Sequence, residues 1–254
     1  MTGKVFRIPS YRHSRKFPGE SQSYPRKHPY LVWYHFESVS DIESQSPPRA
    51  VVVDLGCGEG LLLNMMKRGR TLIGVDVSKN CLRQIIENSS AQFCIMSMAE
   101  NVPLQDNVAD VVVSHQAIEH VADQRRAIAE ASRILRPDGL LIASTPVKGL
   151  LGRLFARSRN ARGERVLSPD HVSEYKSEAE IVDSFVRQSG GALTPVKVRR
   201  KSVKVPASRM IPWLYDKGYV GPMLPAFLYY SDVYVVFRKN GFAKTIENAL
   251  NSQE

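Results

Sequence analysis

An apolar run ends in an acid and opens into glycines: Val53-Asp54-Leu55-Gly56-Cys57-Gly58-Glu59-Gly60. Glycines at alternate positions let a backbone turn tightly and let a ligand approach where a Cβ would collide. A dinucleotide-binding turn has the spacing G-x-G-x-x-G. That spacing would put its last glycine at position 61, and position 61 is Leu. The pattern favours a nucleoside ligand that carries no pyrophosphate. The next apolar run ends in Asp76, twenty residues after Gly56. A carboxylate there can accept hydrogen bonds from both hydroxyls of a ribose, and charge-assisted bonds of this kind are stronger than neutral ones. Singly, Asp54 reads as a turn former and Asp76 as a helix cap. The order strand, glycines, helix, strand, acid is what carries the nucleoside reading.

A second group of titratable residues follows the fourth apolar run: His115, Glu119 and His120. On a helical turn Gln116 and His120, four residues apart, share a face. Either a histidine accepts a proton or orients a substrate, or the Glu119-His120 pair fixes the loop. The segment SPDHVSEY (168–175) adds His171 and Tyr175. The catalytic candidates are therefore His115, His120 and His171. The aromatics Trp213, Tyr215, Tyr219, Phe227, Tyr229 and Tyr230 line a pocket or make a satellite core. Cysteines 57, 81 and 94 form no closed disulfide set and no C-x-x-C pair, and no His-rich cluster accompanies them. They are expected to be small buried hydrophobes, and no metal site is expected.

Elements that position these residues follow from periodicity. Strands are predicted at 50–55, 71–76, 92–96, 109–114, 139–144, 193–205 and 231–239, buried on both faces where the β-branched runs are continuous. Helices are predicted at 59–68, after Ser78, at 122–136 and after Ser177, the last with capping-box spacing to Glu180. A turn is expected at Arg136-Pro137-Asp138-Gly139. Such alternation means parallel strands joined by helical crossovers. Residues 1–30 read as irregular, and apolar residues at 31, 32, 36 and 39 point to a short helix within 28–43. The expected organisation is a basic, aromatic extension (1–48) before one α/β domain (49–254), with insertions at about 147–176 and 206–230.

The chain has 254 residues, 43% hydrophobic and 24% charged, which excludes a collagen-like, low-complexity or wholly disordered protein. No apolar run nears the roughly 18 residues that span a bilayer. The N-terminus lacks the apolar stretch of a secretory signal, so a cytoplasmic protein is expected. The net charge is +10. Residues 1–30, 148–166 and 197–209 hold 19 of the 35 Lys and Arg but two of the 25 Asp and Glu, leaving an acidic remainder. Clustered bases steer an anionic partner such as RNA, or form a solvated surface that aids solubility. The N-terminal aromatics Phe6, Tyr11, Phe17, Tyr24 and Tyr30 suit base stacking, or pack the arm onto the domain.

The segments VVVDLGCGEG (51–60), GVDVS (74–78), AENVPLQDNVADVVVSHQAIEHV (99–121) and RILRPDGLLIAS (133–144) resemble the class I S-adenosylmethionine-dependent methyltransferases. Within them the chain is similar to the type 11 group that includes the ubiquinone and menaquinone C-methyltransferases. The resemblance is close over 50–146 and loose to 239. It implies a Rossmann-like, doubly wound, seven-stranded, mostly parallel sheet of order 3-2-1-4-5-7-6, with S-adenosyl-L-methionine as cofactor. It implies that Asp54, Gly56, Cys57, Gly58 and Gly60 bracket the methionine and ribose, that Asp76 holds the ribose, and that Val77 packs on adenine. Ser114 and Gln116 would lie beside the methyl-bearing sulfur. Family members often have an acid at the position of Met98, facing the adenine amino group; here stacking and the Ala99 N–H would hold the base. The expected activity is methyl transfer to a small-molecule or lipid- or sugar-linked acceptor. The alternatives are an RNA methyltransferase that docks through the basic segments, and a regulatory protein that binds the cofactor without turnover.

Overall fold

Continuous Val and Ile runs make the centre of the sheet, because strands covered by helices on both faces have no solvent side to mark with polar residues. In the computed structural model the described residues are 4–7, 33–66, 68–88, 91–149, 158–161, 163–166, 170–201, 204–206, 223–225 and 230–241. The elements in chain order are β1 (Lys4–Arg7), α1 (Trp33–Gln45), β2 (Val51–Leu55), α2 (Leu61–Met65), β3 (Thr71–Asp76), α3 (Lys79–Asn88), β4 (Phe93–Met96) and β5 (Ala109–His115). A 3-10 turn (Ile118–His120) leads to α4 (Gln124–Ile134), β6 (Leu135–Lys148), β7 (Ser158–Arg159), β8 (Arg165–Val166) and α5 (Glu178–Gln188). Then come β9 (Leu193–Lys201), β10 (Lys204–Pro206), β11 (Met223–Pro225) and β12 (Tyr230–Lys239).

The main sheet has the order β1-β4-β3-β2-β5-β6-β12-β9. Seven of these strands reproduce the expected 3-2-1-4-5-7-6 arrangement. β12 runs antiparallel to both β6 and β9, and the pairings from β4 to β6 are parallel. An eighth strand, β1, adds parallel to the edge of β4 within a segment read as irregular.

Successive side chains of each strand point to opposite faces, so two cores form. On one face Val53, Val75, Val112 and Leu141 pack with Ile128 and Ile134 of α4 and with Ile181 and Phe185 of α5. On the other, Val52, Leu72, Val111 and Val113 pack with Leu62 and Leu63 of α2, Leu82 and Ile85 of α3, and Tyr34 and Ile42 of α1. Helix α1 thus shares the core of the domain it precedes. Its buried residues are Tyr34, Ser38, Asp41 and Ile42; of the apolar positions noted in the sequence, Val39 packs at the edge of this core, Phe36 is exposed, and 31 and 32 lie outside the described residues. The polar members turn inward because polar partners on the sheet wait for them.

Ser78 and Ser177 cap their helices as expected, and Asp123, not anticipated, caps α4. Ser78 Oγ accepts from Cys81 N (3.3 Å), and Asp123 Oδ1 accepts from Arg126 N (3.0 Å). Ser177 Oγ accepts from Glu180 N (3.1 Å), while Glu180 returns to Lys176 N, one residue before the cap. The predicted turn at 136–139 is a bulge within β6. The register slips between Ala109, which pairs Leu135, and Val111, which pairs Leu140. Asp138 has φ 63°, and a Cβ on Gly139 would lie 2.9 Å from the carbonyl oxygens of Arg136 and Asp110. The helix expected over 59–68 is confined to Leu61–Met65, and the strand expected over 193–205 is divided into β9 and β10.

Candidate active site

The glycine bend leaves β2 at the C-terminal end of the parallel strands, where open α/β sheets bind ligands. Gly56, Gly58 and Gly60 have φ of 76°, 51° and 78°, the left-handed region that L side chains rarely adopt. The backbone N–H groups of Gly56 and Cys57 donate to Val75 O at 2.8 and 3.1 Å, clamping the bend onto β3. A Cβ on Gly56 would sit 2.5 Å from Ala117 Cβ, whereas a Cβ on Gly58 would meet nothing within 4 Å. Gly56 is therefore demanded by packing, and Gly58 borders open space.

Asp76, at the end of β3, closes the same bend. Its Oδ2 accepts from Gly58 N (2.9 Å) and its Oδ1 from Ser78 N (2.7 Å). Each carboxylate oxygen keeps a second lone-pair direction for a ligand hydroxyl. Burial pushes the Asp76 carboxyl up, opposed by the N–H groups of Ser78, Gly58 and Val77. Asp54 is buried, and burial together with the charge of Asp76 pushes its pKa up to about 7. Two neighbouring buried carboxyls suit a ligand that brings both hydroxyl groups and positive charge. An adenosyl sulfonium with an amino-acid tail supplies ribose hydroxyls for Asp76 and positive charge for Asp54, so the residues present fit S-adenosylmethionine. Cys57 is buried with its thiol pushed well up, by burial and then by Asp76 and Asp54, so it acts as a packed hydrophobe. Cys81 and Cys94 are likewise buried and free. Val77, Met98 and Ala99 are half-buried beside the ends of β3 and β4.

Past β5 the backbone turns sharply. Ser114 is buried, and Gln116 is held at φ 48° by donation from its N–H to Ser144 O (2.8 Å). A left-handed non-glycine residue at a site stores strain of roughly 1–3 kcal/mol. Because only Ile118–His120 form a 3-10 turn, Gln116 and His120 do not share a helical face as the spacing suggested.

The three histidine candidates occupy two different surroundings. His115 points into the core under α1. Its Nε2 lies 2.7 Å from Ser38 Oγ and its Nδ1 2.9 Å from Ser144 Oγ. Burial, then the neighbouring His35, pushes its pKa well down. Tyr234 OH donates to Asp41 Oδ2 (2.7 Å), and Lys197 Nζ reaches both Asp41 oxygens (2.9 and 2.7 Å). This network accounts for the polar inner face of α1.

His120 and His171 meet elsewhere, with ring centroids 4.9 Å apart and nearly perpendicular. The chain segment after β8 is tied there by backbone donation from Val172 N to Glu119 O (2.8 Å). Glu119 is 1% exposed, and burial pushes its pKa up to about 7. Its Oε2 accepts from Thr145 Oγ1 (3.2 Å). Burial pushes the pKa of His171 down, but the Glu174 hydrogen bond and the charges of Glu119, Glu174 and Asp170 outweigh it and the net shift is upward. For His120 burial dominates, and the pKa is lowered.

Asp232 on β12 was not anticipated. It is 1% exposed, and burial pushes its pKa up to about 6, with the Gln116 side chain 3.5 Å away. An acid inside the otherwise apolar SDVYVVF run was the available signal. The aromatics Trp213, Tyr215, Tyr219, Phe227 and Tyr229, and most of the N-terminal arm, lie outside the described residues.

The family description "Methyltransferase domain" matches residues 53–143. A probable S-adenosylmethionine-dependent methyltransferase of Mycobacterium tuberculosis is 29% identical over 154 residues, 59% of this chain and 56% of that protein. A malonyl-(acyl-carrier protein) O-methyltransferase of Serratia marcescens is 30% identical over 121 residues, 47% of this chain and 48% of that protein. The chain thus spans about half the length of these two curated relatives. An uncharacterized methyltransferase of Mycobacterium bovis is 30% identical over 170 residues, 60% of this chain and 70% of that protein. Among solved structures, the YcgJ protein of Bacillus subtilis superposes with a TM-score of 0.61 over 82% of this chain and 98% of that one; at 17% identity this is a likeness of fold. The glycine bend facing Asp76, on a sheet of this order and with relatives of this kind, makes the chain a member of the class I S-adenosylmethionine-dependent methyltransferase family.

Proposed function

We propose that this chain is a methyltransferase that takes its methyl group from S-adenosylmethionine and acts on a small-molecule or lipid- or sugar-linked acceptor. The observation that carries the reading is the cradle in which Asp76 accepts from Gly58 N, with the buried Asp54 carboxyl at the end of the neighbouring strand. Bound there, S-adenosylmethionine supplies a methyl group already activated on a cationic sulfur. Asp76 holds the ribose, Gly58 leaves room for it, and Asp54 meets the positive end. Val77, Met98 and Ala99 bound the adenine side, and Ser114 and Gln116 flank the sulfur. Much of the rate enhancement then comes from holding the acceptor in line and excluding water.

The acceptor side is supported by a polar cluster of half-buried Gln116 and buried Glu119, Thr145, His171 and Asp232, with His120 at its edge. Convergent polar groups of this kind orient a small polar head. His115, locked between two serines, positions the end of β5 and does not touch the acceptor. One relative is named for O-methylation of malonyl-(acyl-carrier protein), an acyl group on a carrier.

The described bases favour this reading over RNA. Lys197 and Arg199 pair with Glu37 of α1 (3.1 and 2.9 Å), and Arg200 lies 3.7 Å from Glu178. Lys201 Nζ sits 5.2 Å from the Trp33 ring, and Lys148 pairs with Glu174 (3.0 Å). These cations already have partners within the chain.

The test is incubation of methyl-labelled cofactor and protein with separated small-molecule, lipid and RNA pools. Label is expected in the first or second. Label in RNA, with binding that falls steeply as salt rises, would replace the acceptor assignment. Cofactor binding with no label anywhere would leave a regulatory protein.

A further inference from the structure

Glu119, His120 and His171 each offer one metal-ligating atom, and these atoms lie within 4.8 Å of one another. Residue spacing gave no hint of such a site, because His171 is brought to Glu119 by backbone donation from Val172 and Ser173 to Glu119 O, between segments far apart in the chain. Tetrahedral coordination with bonds of about 2.1 Å needs ligand atoms about 3.4 Å apart. Closing from 4.8 Å therefore asks for small side-chain rotations and no refolding.

Two further features point the cluster at a cation. Glu119 Oε1 is buried with no hydrogen-bond partner, although Glu119 is 1% exposed. A buried acceptor left this way is costly unless something positive meets it. Both rings are also oriented from behind. His171 Nδ1 is bonded to Glu174 Oε1, and His120 Nδ1 lies 3.3 Å from Asp170 Oδ2. A carboxylate on one ring nitrogen is the arrangement that presents the other nitrogen to a metal and raises its basicity. Lys148 in turn holds Glu174 Oε2 at 3.0 Å.

We infer that Glu119, His120 and His171 form a binding site for a first-row divalent transition metal, with Zn2+ as the reference ion. Two imidazoles and one carboxylate suit Zn2+, Co2+ or Fe2+ better than Mg2+ or Ca2+. Three protein ligands leave a coordination position for water or for an acceptor oxygen. Glu174 and Asp170 are positioning residues. The site shares no residue with the donor cradle, so the two assignments fail separately.

The test uses the untagged full chain, stripped of metal and dialysed against about 10 µM Zn2+, with bound metal measured by mass spectrometry. Parallel Co2+ loading is followed by visible absorption. The expected result is one ion per chain and Co2+ bands of nitrogen and oxygen ligation. His171→Ala and Glu119→Gln are each expected to weaken uptake by at least about tenfold, and Glu174→Gln by about 10–100-fold. Calorimetric binding of S-adenosylhomocysteine by each variant reports that it is folded. No stoichiometric uptake by the parent chain, or uptake unchanged in the two ligand variants, overturns the site. Metal uptake without S-adenosylhomocysteine binding overturns the donor cradle and leaves the metal site standing.

Discussion

Raising the pH from 5 to 7 should tighten S-adenosylmethionine binding about 50-fold, and Asp54→Asn should remove that dependence. Asp54 is pushed up to about 7 from 3.8 by burial and then by Asp76. On that value about 1% of the carboxyl is ionised at pH 5 and about half at pH 7. If the cationic donor binds beside the ionised form, affinity follows that fraction, a change of about 2.3 kcal/mol. The sign for folding is opposite. A carboxyl whose folded pKa lies above its unfolded value stabilises the ligand-free chain below about pH 4, and that contribution is lost as the pH rises through about 7. Donor binding selects the ionised carboxylate and expels the proton. At pH 6 each binding event should release about 0.9 proton, read by calorimetry in two buffers of different ionisation enthalpy. Asp54→Asn should also stabilise the ligand-free chain at pH 8, by up to about 4 kcal/mol. Affinity that is flat between pH 5 and 7, with no proton released, would refute the placement of Asp54 against the positive end of the donor.

Further predictions separate packing from binding. Gly58→Ala should fold, at about 1–2 kcal/mol for its left-handed backbone, yet lose donor affinity by more than about tenfold, since its Cβ enters open space. Gly56→Ala should destabilise by about 2–5 kcal/mol on thermal or denaturant unfolding, because its Cβ lands 2.5 Å from that of Ala117. Lys197→Met should cost about 1.5–3 kcal/mol by removing the cation from the buried Asp41 carboxylate, which keeps the Tyr234 hydroxyl. Adding Asp41→Asn should recover most of it, and a double mutant with strictly additive losses would contradict the pairing. Ser38→Ala should cost about 1–2 kcal/mol of stability through His115 and leave donor affinity unchanged in a titration.

Seven strands of the main sheet, the glycine bend and the position of Asp76 were legible because each is written locally. β-branched runs report burial on both faces, and left-handed turns need glycine within a few residues. The inner face of α1 was not legible, because Ser38 and Asp41 are turned inward by His115, Tyr234 and Lys197, residues distant in sequence. Asp232 was hidden for a related reason. It is an acid inside an apolar strand, and its meaning depends on Gln116 across the sheet. The pairing of Glu119 with His171 rests on backbone hydrogen bonds between segments, which leave no trace in residue type. The bulge at 136–139 read as a turn because Pro137-Asp138-Gly139 has turn chemistry; the strand continues through it by slipping register against β5.

The most direct measurement is a calorimetric titration of S-adenosylmethionine into the parent chain and into Asp76→Ala at pH 7. One donor per parent chain is predicted, with affinity at least about 100-fold weaker in the variant because two charge-assisted ribose contacts are lost. Equal affinity in both chains, or no uptake by the parent, would contradict the claim that the bend at Gly58 and the carboxylate of Asp76 form one nucleoside site.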